Sequence, residues 1–194
     1  MMTDTFSANS ALARALQAID AANAADPGQE DGRPAALVYG ERMSVELARL
    51  FPKASPVLQI AARGQHVERW LLPRADYPQG KQGYLAWRRE QGRRHGERVA
   101  GIMADAGFGP EDCARVGVLL RKEALKRDDE VQALEDVICF TFLRWYFAGF
   151  AQGKDPLAVQ DIVEKTARKM SAEGRARALA EFDLPPELTA AFRD

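Results

Sequence analysis

Four polar side chains with the chemistry of metal ligands or acid–base groups fall within helical stretches of the sequence. They are Glu41, His66, His95 and Asp136. Carboxylates and imidazoles contributed by different helices are typical of metal sites inside α-helical bundles. The set therefore indicates a site for a divalent transition metal, if the fold brings these side chains together.

Each of these residues also has a structural interpretation. Asp136 lies in the apolar stretch VQALEDVICFTFL, where an ionised carboxylate is costly unless it is paired or bound to a metal. A salt bridge within the helix would satisfy it equally well. His66 follows small apolar residues, as a core histidine would, whereas His95 lies among basic residues typical of a helix surface. The sequence leaves both interpretations open.

Basic side chains form a second group, most densely in the stretch LLRKEALKRDDE. Cations at a helix end stabilise the helix dipole, which is the structural interpretation. Arginine and lysine also bind phosphate oxygens, and this chemistry predicts a phosphate-binding group beside the metal. Its predicted members are Arg42, Arg69, Arg74, Arg121, Lys122 and Lys126.

The charge distribution points to an anionic partner. The whole chain has a formal net charge of −1, but residues 41–127 carry 17 basic and 10 acidic side chains. A solvated helical surface would explain this excess, and so would a phosphate-bearing small molecule or a nucleic-acid backbone. Aromatic residues alternate with arginines in residues 69–98, a composition that can stack bases. An RNA-associated module is therefore an alternative function, with Arg88, Arg89, Arg93 and Arg94 as its contacts.

Helix start and stop signals divide the chain into helices without any alternating strand. Ser55-Pro56 and Asp155-Pro156 each combine an N-cap residue with a proline at the first helical position. Gly107 is placed to end a long helix. The pattern predicts an all-α fold, a single-domain bundle of about seven to nine helices over residues 1–194.

The predicted helices have specific bounds. The first begins at a Ser10 cap and ends before Asp26, and residues 1–28 could form a loosely packed arm. The helix PVLQIAARGQHVERW contains His66, and a long helix runs from about Tyr84 to Ala106. A single helix is expected over DEVQALEDVICFTFLRWYFAGF.

Composition gives an expectation for the compartment. The chain has 194 residues and only two cysteines, too few for a disulfide framework. Its N-terminus lacks the basic and apolar regions of a secretory signal, and no apolar run reaches the length of a membrane span. We expect a cytoplasmic protein without a membrane partner.

Six short motifs occur in order along the chain: YGERMS, QHVERW, PRADYP, GYLAWR, LKRDDEVQALEDV and KTARKMS. Together they resemble the family catalogued as domain of unknown function 4202, over roughly residues 10–180. This resemblance implies no particular activity, because the family brings none with it.

A more distant resemblance is to the HD superfamily of metal-dependent phosphohydrolases. ERMSVELARLF is similar to the first ligand helix of that fold, with Glu41 where a histidine is usual. PVLQIAARGQH is similar to the helix ending in the His-Asp pair, so His66 matches the histidine and Val67 stands at the aspartate position. His95 and Asp136 match the further histidine and the last aspartate.

The HD resemblance implies a function and a site. Glu41, His66 and Asp136 would hold the metal (Mn, Fe, Co, Ni or Zn), and His95 and Glu68 would be the catalytic residues. The predicted function is binding of an anionic, phosphorylated small molecule, with metal-dependent phosphohydrolysis as the implied activity. Two further functions stay open. One is the RNA-associated module, and the other is a catalytically inactive interaction domain that has lost the metal and has no other cofactor.

Overall fold

The protein is mostly helical, as predicted. A computed structural model describes residues 2–193, with side chains from Ser10 onwards, and the chain divides after Glu123 into two compact units. Within residues 2–193, no helix combines the length and the apolar character needed to cross a bilayer.

The first unit contains five α-helices among the residues that the structure describes. They are α1 (Met2–Asn23), α2 (Ala35–Leu50), α3 (Pro56–Arg63), α4 (Gly80–Asp105) and α5 (Pro110–Arg121). α3 packs against α1, α2 and α5, and α4 packs against α1 and α5. The core of this unit is apolar, and its fully buried side chains include Ile19, Met43, Ile60, Val99, Met103 and Leu119.

The second unit also contains five α-helices among the described residues. They are α6 (Asp129–Thr141), α7 (Phe147–Ala151), α8 (Pro156–Lys169), α9 (Ala172–Glu181) and α10 (Pro186–Thr189). α8 packs against α6 and α10. Its buried apolar side chains include Leu134, Val137, Phe140, Val163 and Met170.

The helix caps predicted at Ser55, Asp155 and Gly107 are confirmed. The hydroxyl of Ser55 accepts from the backbone N–H of Leu58 at 3.1 Å, and the side chain of Asp155 accepts from that of Leu157 at 2.7 Å. Gly107 ends α4 with a φ of +94°, a left-handed conformation that glycine adopts without strain.

The prediction of a helix through His66 is wrong. α3 ends at Arg63, and the backbone N–H of Gly64 bonds to the carbonyl of Ile60 at 2.9 Å. A Cβ at Gly64 would lie 2.7 Å from Cγ2 of Val99, so this close approach requires glycine. His66 therefore lies in the irregular segment after α3.

Three other bounds differ from the sequence prediction. α1 begins at Met2, so Ser10 lies inside it, and Ala15 and Ile19 are fully buried, whereas a loosely packed arm would leave them exposed. α4 begins at Gly80 instead of Tyr84. The helix expected over residues 129–150 is interrupted by a π-helical turn, Phe142–Tyr146, which brings the α-helices of the described residues to ten.

A short β-hairpin was not predicted. Strands β1 (Gln29–Glu30) and β2 (Arg33–Pro34) pair antiparallel, with Glu30 opposite Arg33. Asp31 and Gly32 form the turn with φ values of +53° and +75°. Positive φ at both turn residues is the signature of an Asp-Gly hairpin turn.

Candidate anion-binding site

A basic pocket lies in the first unit, between the segment after α3, the middle of α4 and the end of α5. Its volume is about 520 Å³. The lining residues are Gln65, Arg69, Arg88, Arg89, Gln91, Gly92, Arg93, His95, Leu120, Arg121, Lys122 and Glu123. Six of these side chains are arginine or lysine and one is acidic, so the pocket favours an anion.

Glycines allow α4 and α5 to approach closely beside the pocket. A Cβ on Gly92 would lie 3.3 Å from the Leu120 carbonyl oxygen, and one on Gly96 would lie 3.3 Å from Cα of Gly117. Gly92 and Gly96 are one helical turn apart, so they share a face of α4. This contact places the C-terminal residues of α5 against the arginines of α4.

The segment after α3 is held against α4 by two buried side chains. The indole N–H of Trp87 donates to the Leu72 carbonyl at 2.9 Å, and the amide of Gln91 donates to the Arg69 carbonyl at 3.0 Å. Both anchors lie on α4 and fix the backbone around Arg69. The position of the Arg69 side chain therefore depends on the face of α4 that carries Trp87 and Gln91.

The Arg69 side chain is a partly buried cation next to an aromatic ring. Its guanidinium lies over the Trp87 ring, 4.6 Å from the ring centroid, and burial lowers the pKa of this group. Among the residues that the structure describes, no carboxylate forms an ion pair with it. A desolvated cation is costly without a compensating charge, so an anion in the pocket would stabilise this arrangement.

Two buried polar atoms of the pocket lining have no hydrogen-bond partner within the described part of the chain. They are Nε2 of His95 and Oε1 of Gln65, on residues only 4% and 8% exposed. Burial lowers the pKa of His95 to about 3, and Arg69, Arg94 and Lys122 repel its protonated form. His95 is therefore neutral at neutral pH and offers one hydrogen-bonding atom to a ligand.

Some of the other pocket cations are already paired with carboxylates. Arg93 contacts Glu90 and Glu97, each at 2.6 Å, and Arg121 contacts Glu123 at 2.6 Å. These ion pairs are largely exposed and contribute little to stability. They fix the guanidinium groups at the pocket rim, whereas Arg69 lies at its buried side.

Two non-glycine residues next to the pocket have left-handed backbone conformations. Glu68 precedes Arg69 with a φ of +50°, and Lys122 follows α5 with a φ of +57°. Such residues cost free energy and tend to cluster at binding sites. The strain lies on both segments that contribute pocket residues from outside α4.

His66 lies close to this site but is engaged with an aromatic ring. Its imidazole stacks on Tyr39, with ring centroids 3.7 Å apart, and its centroid is 6.4 Å from that of His95. Burial and the nearby cations lower the pKa of His66 well below its usual value. The two histidines thus form a neutral pair in a positively charged region.

The predicted metal ligands have other partners. Glu41 forms a bidentate ion pair with Arg33, at 2.7 and 2.8 Å, which lowers the pKa of the carboxyl group. Among the side chains that the structure describes, from Ser10 to Arg193, no three of His, Cys, Asp or Glu are grouped to hold a metal. The donor set of the described residues therefore does not fit the metal that the sequence predicts.

Asp136 belongs to the second unit and holds α9 in place. One carboxylate oxygen accepts from the backbone N–H of Ser171 at 2.8 Å, and the other accepts from the Ser171 hydroxyl at 2.5 Å. Gln132 donates to the first oxygen at 3.0 Å. Burial raises the pKa of Asp136, against the opposing effect of these hydrogen bonds. Its contacts within the second unit are those of a structural carboxylate.

The predicted phosphate-binding residues separate into two sets. Arg69, Arg121 and Lys122 line the pocket. Arg42 instead pairs with Glu30 of the hairpin, Arg74 donates to the carbonyls of Tyr77 and Pro78, and Lys126 donates to the Met170 carbonyl. The predicted catalytic residue Glu68 forms an ion pair with Arg98 at 3.0 Å.

Several pocket residues fall outside the small-molecule site that the sequence predicts. Arg88, Arg89 and Arg93 are predicted only as RNA contacts, and Gln65 and Gln91 have no predicted role. Part of this set could be found from the sequence, because the spacing of Arg88, Gly92 and His95 places them on one face of a helix. Gln65 has no such signal, since it lies outside any helix.

The comparisons with known proteins give one match. A protein-family model with the description "Domain of unknown function (DUF4202)" matches residues 13–191. No curated protein and no solved structure matches the chain.

Proposed function

The chain belongs to the DUF4202 family, and we propose that its first unit binds a phosphorylated small molecule in the basic pocket. The observation that carries this proposal is the Arg69 guanidinium, stacked on Trp87 without a carboxylate partner among the described residues, beside the unpartnered Nε2 of His95. A guanidinium offers two parallel N–H donors that match two phosphate oxygens.

The charges around Arg69 support the same ligand class. Arg88 and Lys122 line the same pocket, and both contribute to lowering the pKa of His66. A phosphate dianion would reduce the mutual repulsion of these groups. It would also accept a hydrogen bond from the neutral imidazole of His95 in its Nε2–H tautomer.

Metal-dependent phosphohydrolysis stays a prediction from the sequence resemblance to the HD superfamily. The proximity of His66 and His95 supports it, with ring centroids 6.4 Å apart. We assign no metal-dependent step, because Glu41 is bound by Arg33 and the described residues hold no group of three suitable ligands.

RNA binding is the alternative use of the same helix. It predicts that Arg94, which does not line the pocket, matters as much as Arg69. The small-molecule proposal gives Arg69 the larger role. Binding of mixed-sequence RNA that falls steeply with salt and weakens equally in Arg69→Gln and Arg94→Gln would support the alternative.

Replacing Arg69 tests the proposal. Arg69→Gln removes the guanidinium together with its charge and should weaken binding of inorganic phosphate by about tenfold or more, the loss of roughly 1.4 kcal/mol from a charge-assisted hydrogen bond. Titration calorimetry on the full chain at constant ionic strength measures this.

A matched control is Lys81→Gln, which removes an equal charge from α4 at an exposed residue outside the pocket lining. Phosphate should bind this variant as it binds the wild type. The proposal is contradicted if wild-type protein does not bind phosphate, or if the two variants bind it equally well.

A further inference from the structure

The buried side of the pocket has a requirement that the phosphate group of a monoester dianion does not meet. Oε1 of Gln65 is buried without a partner among the described residues, and a carbonyl oxygen can only accept hydrogen bonds. The phosphate group of a monoester dianion has no P–OH, so its oxygens also only accept. A ligand that occupies the whole pocket must therefore carry a hydrogen-bond donor in addition to its phosphate.

The charges of the pocket indicate what kind of donor this is. Arg69, Arg88 and Lys122 surround the region and lower the pKa of the nearby His66. An ammonium group would be repelled by the same cations. A hydroxyl group is a neutral donor, and it can also accept from, or donate to, Nε2 of His95.

The pocket lining also disfavours a nucleobase. Its described residues include no tryptophan, tyrosine or phenylalanine, and Leu120 is the large apolar side chain among them. Of the aromatic rings nearby, Trp87 is covered by Arg69 and Tyr39 by His66, and the Arg88 guanidinium lies 5.9 Å from the centroid of the Tyr84 ring. A base would lack the aromatic platform that proteins binding single-stranded nucleic acids provide.

We propose that the ligand is a sugar phosphate, whose phosphate group contacts Arg69 and His95 Nε2 and whose hydroxyl groups include a donor to Gln65 Oε1. This inference rests on the proposed anion-binding function and names its ligand class. The pocket volume of about 520 Å³ lies within the roughly 300–1,000 Å³ typical of small-molecule sites.

A set of ligands that differ in their hydroxyl groups tests the inference. Calorimetric titrations of the full chain with glycerol 3-phosphate, ribose 5-phosphate and glucose 6-phosphate are compared with n-propyl phosphate, which has no hydroxyl on its carbon chain. We expect the tightest of the three hydroxylated ligands to bind about tenfold or more tightly than n-propyl phosphate, because only a hydroxylated ligand supplies a donor to the buried acceptor.

A variant of Gln65 tests whether the tighter binding of the hydroxylated ligands depends on this acceptor. Gln65→Leu removes the acceptor and should reduce that advantage to about twofold or less, while n-propyl phosphate, which has no donor, binds as in the wild type. Gln82→Leu, at an exposed position of α4, is the control and should keep the full advantage. Circular dichroism of both variants checks that they are folded.

The outcomes separate this inference from the function on which it rests. If neither inorganic phosphate nor any phosphate ester binds, the anion-binding function fails and the inference with it. If inorganic phosphate binds but hydroxylated esters gain nothing over n-propyl phosphate, only the inference fails. Tighter binding of adenosine monophosphate than of every sugar phosphate, or an advantage that persists in Gln65→Leu, also overturns it.

Discussion

His95 is a basic side chain that is buried among cations, an environment that disfavours its protonated form. Arg69 from the segment after α3, Arg94 from its own helix and Lys122 at the end of α5 all disfavour its protonated form. His66, which stacks on Tyr39, is a second neutral imidazole, with its ring centroid 6.4 Å from that of His95. In the sequence, His95 has the pattern of a surface histidine, because its burial depends on contacts between helices.

This environment makes stability depend on pH. The pKa of His95 is about 3 in the folded protein against 6.5 for the free side chain, so the unfolded state binds the proton more readily. The free energy of unfolding should therefore fall as the pH drops below about 6.5. The contribution of His95 to this fall between pH 7 and pH 5 is about 1–2 kcal/mol.

Urea denaturation of wild type and His95→Gln at pH 7 and pH 5 measures that contribution. The variant should lose less stability on acidification, with His66 accounting for part of the fall that persists. Equal losses in both proteins would show that His95 does not titrate between the folded and unfolded states.

At the scale of helices, the sequence predicts well those features that depend only on residues close together along the chain. The caps at Ser55 and Asp155 form as expected, since each needs only a side chain and the next few backbone N–H groups. The end of α3 differs from the prediction because the predicted helix continues through Gly64, the residue that forms its C-cap. The close approach of Gly64 to Val99 is not visible in the sequence, because these residues are far apart along the chain. Arg69 lies beside α4 because the chain leaves the helix at Gly64.

Two helical glycines with different surroundings test this packing. A Cβ at Gly40 would lie 2.9 Å from the Arg63 backbone carbonyl, whereas one at Gly101 would meet nothing within 4 Å. Gly40→Ala should destabilise the protein by about 1–3 kcal/mol through overpacking. Gly101→Ala should stabilise it by about 0.5–1 kcal/mol through helix propensity.

Thermal or urea unfolding of the two variants provides the comparison. Opposite signs are expected, since the substitution is chemically identical and both sites are on helices of the first unit. A neutral or stabilising Gly40→Ala would contradict the close contact between α2 and the end of α3.

At the scale of the whole molecule, the distribution of charge along the sequence indicates the location of the pocket better than the individual acidic residues indicate a metal site. The excess of basic residues in residues 41–127 indicates an anion, and the basic pocket lies within that range. The metal ligands are predicted from residue type, but Arg33 binds Glu41 and Ser171 binds Asp136. Such partners are set by tertiary contacts, so a sequence motif cannot distinguish a ligand carboxylate from a structural one.

The central claim is that a phosphate group binds at the buried side of the pocket, next to His95. Since the chain has only two histidines, the ring nitrogens can be assigned by NMR of the ¹⁵N-labelled protein with His66→Gln and His95→Gln variants as references. Addition of inorganic phosphate at constant pH and ionic strength should shift the His95 Nε2 resonance in a saturable manner, and Arg69→Gln should abolish saturation. A His95 resonance that does not move while phosphate is titrated to saturation of the protein would contradict the account.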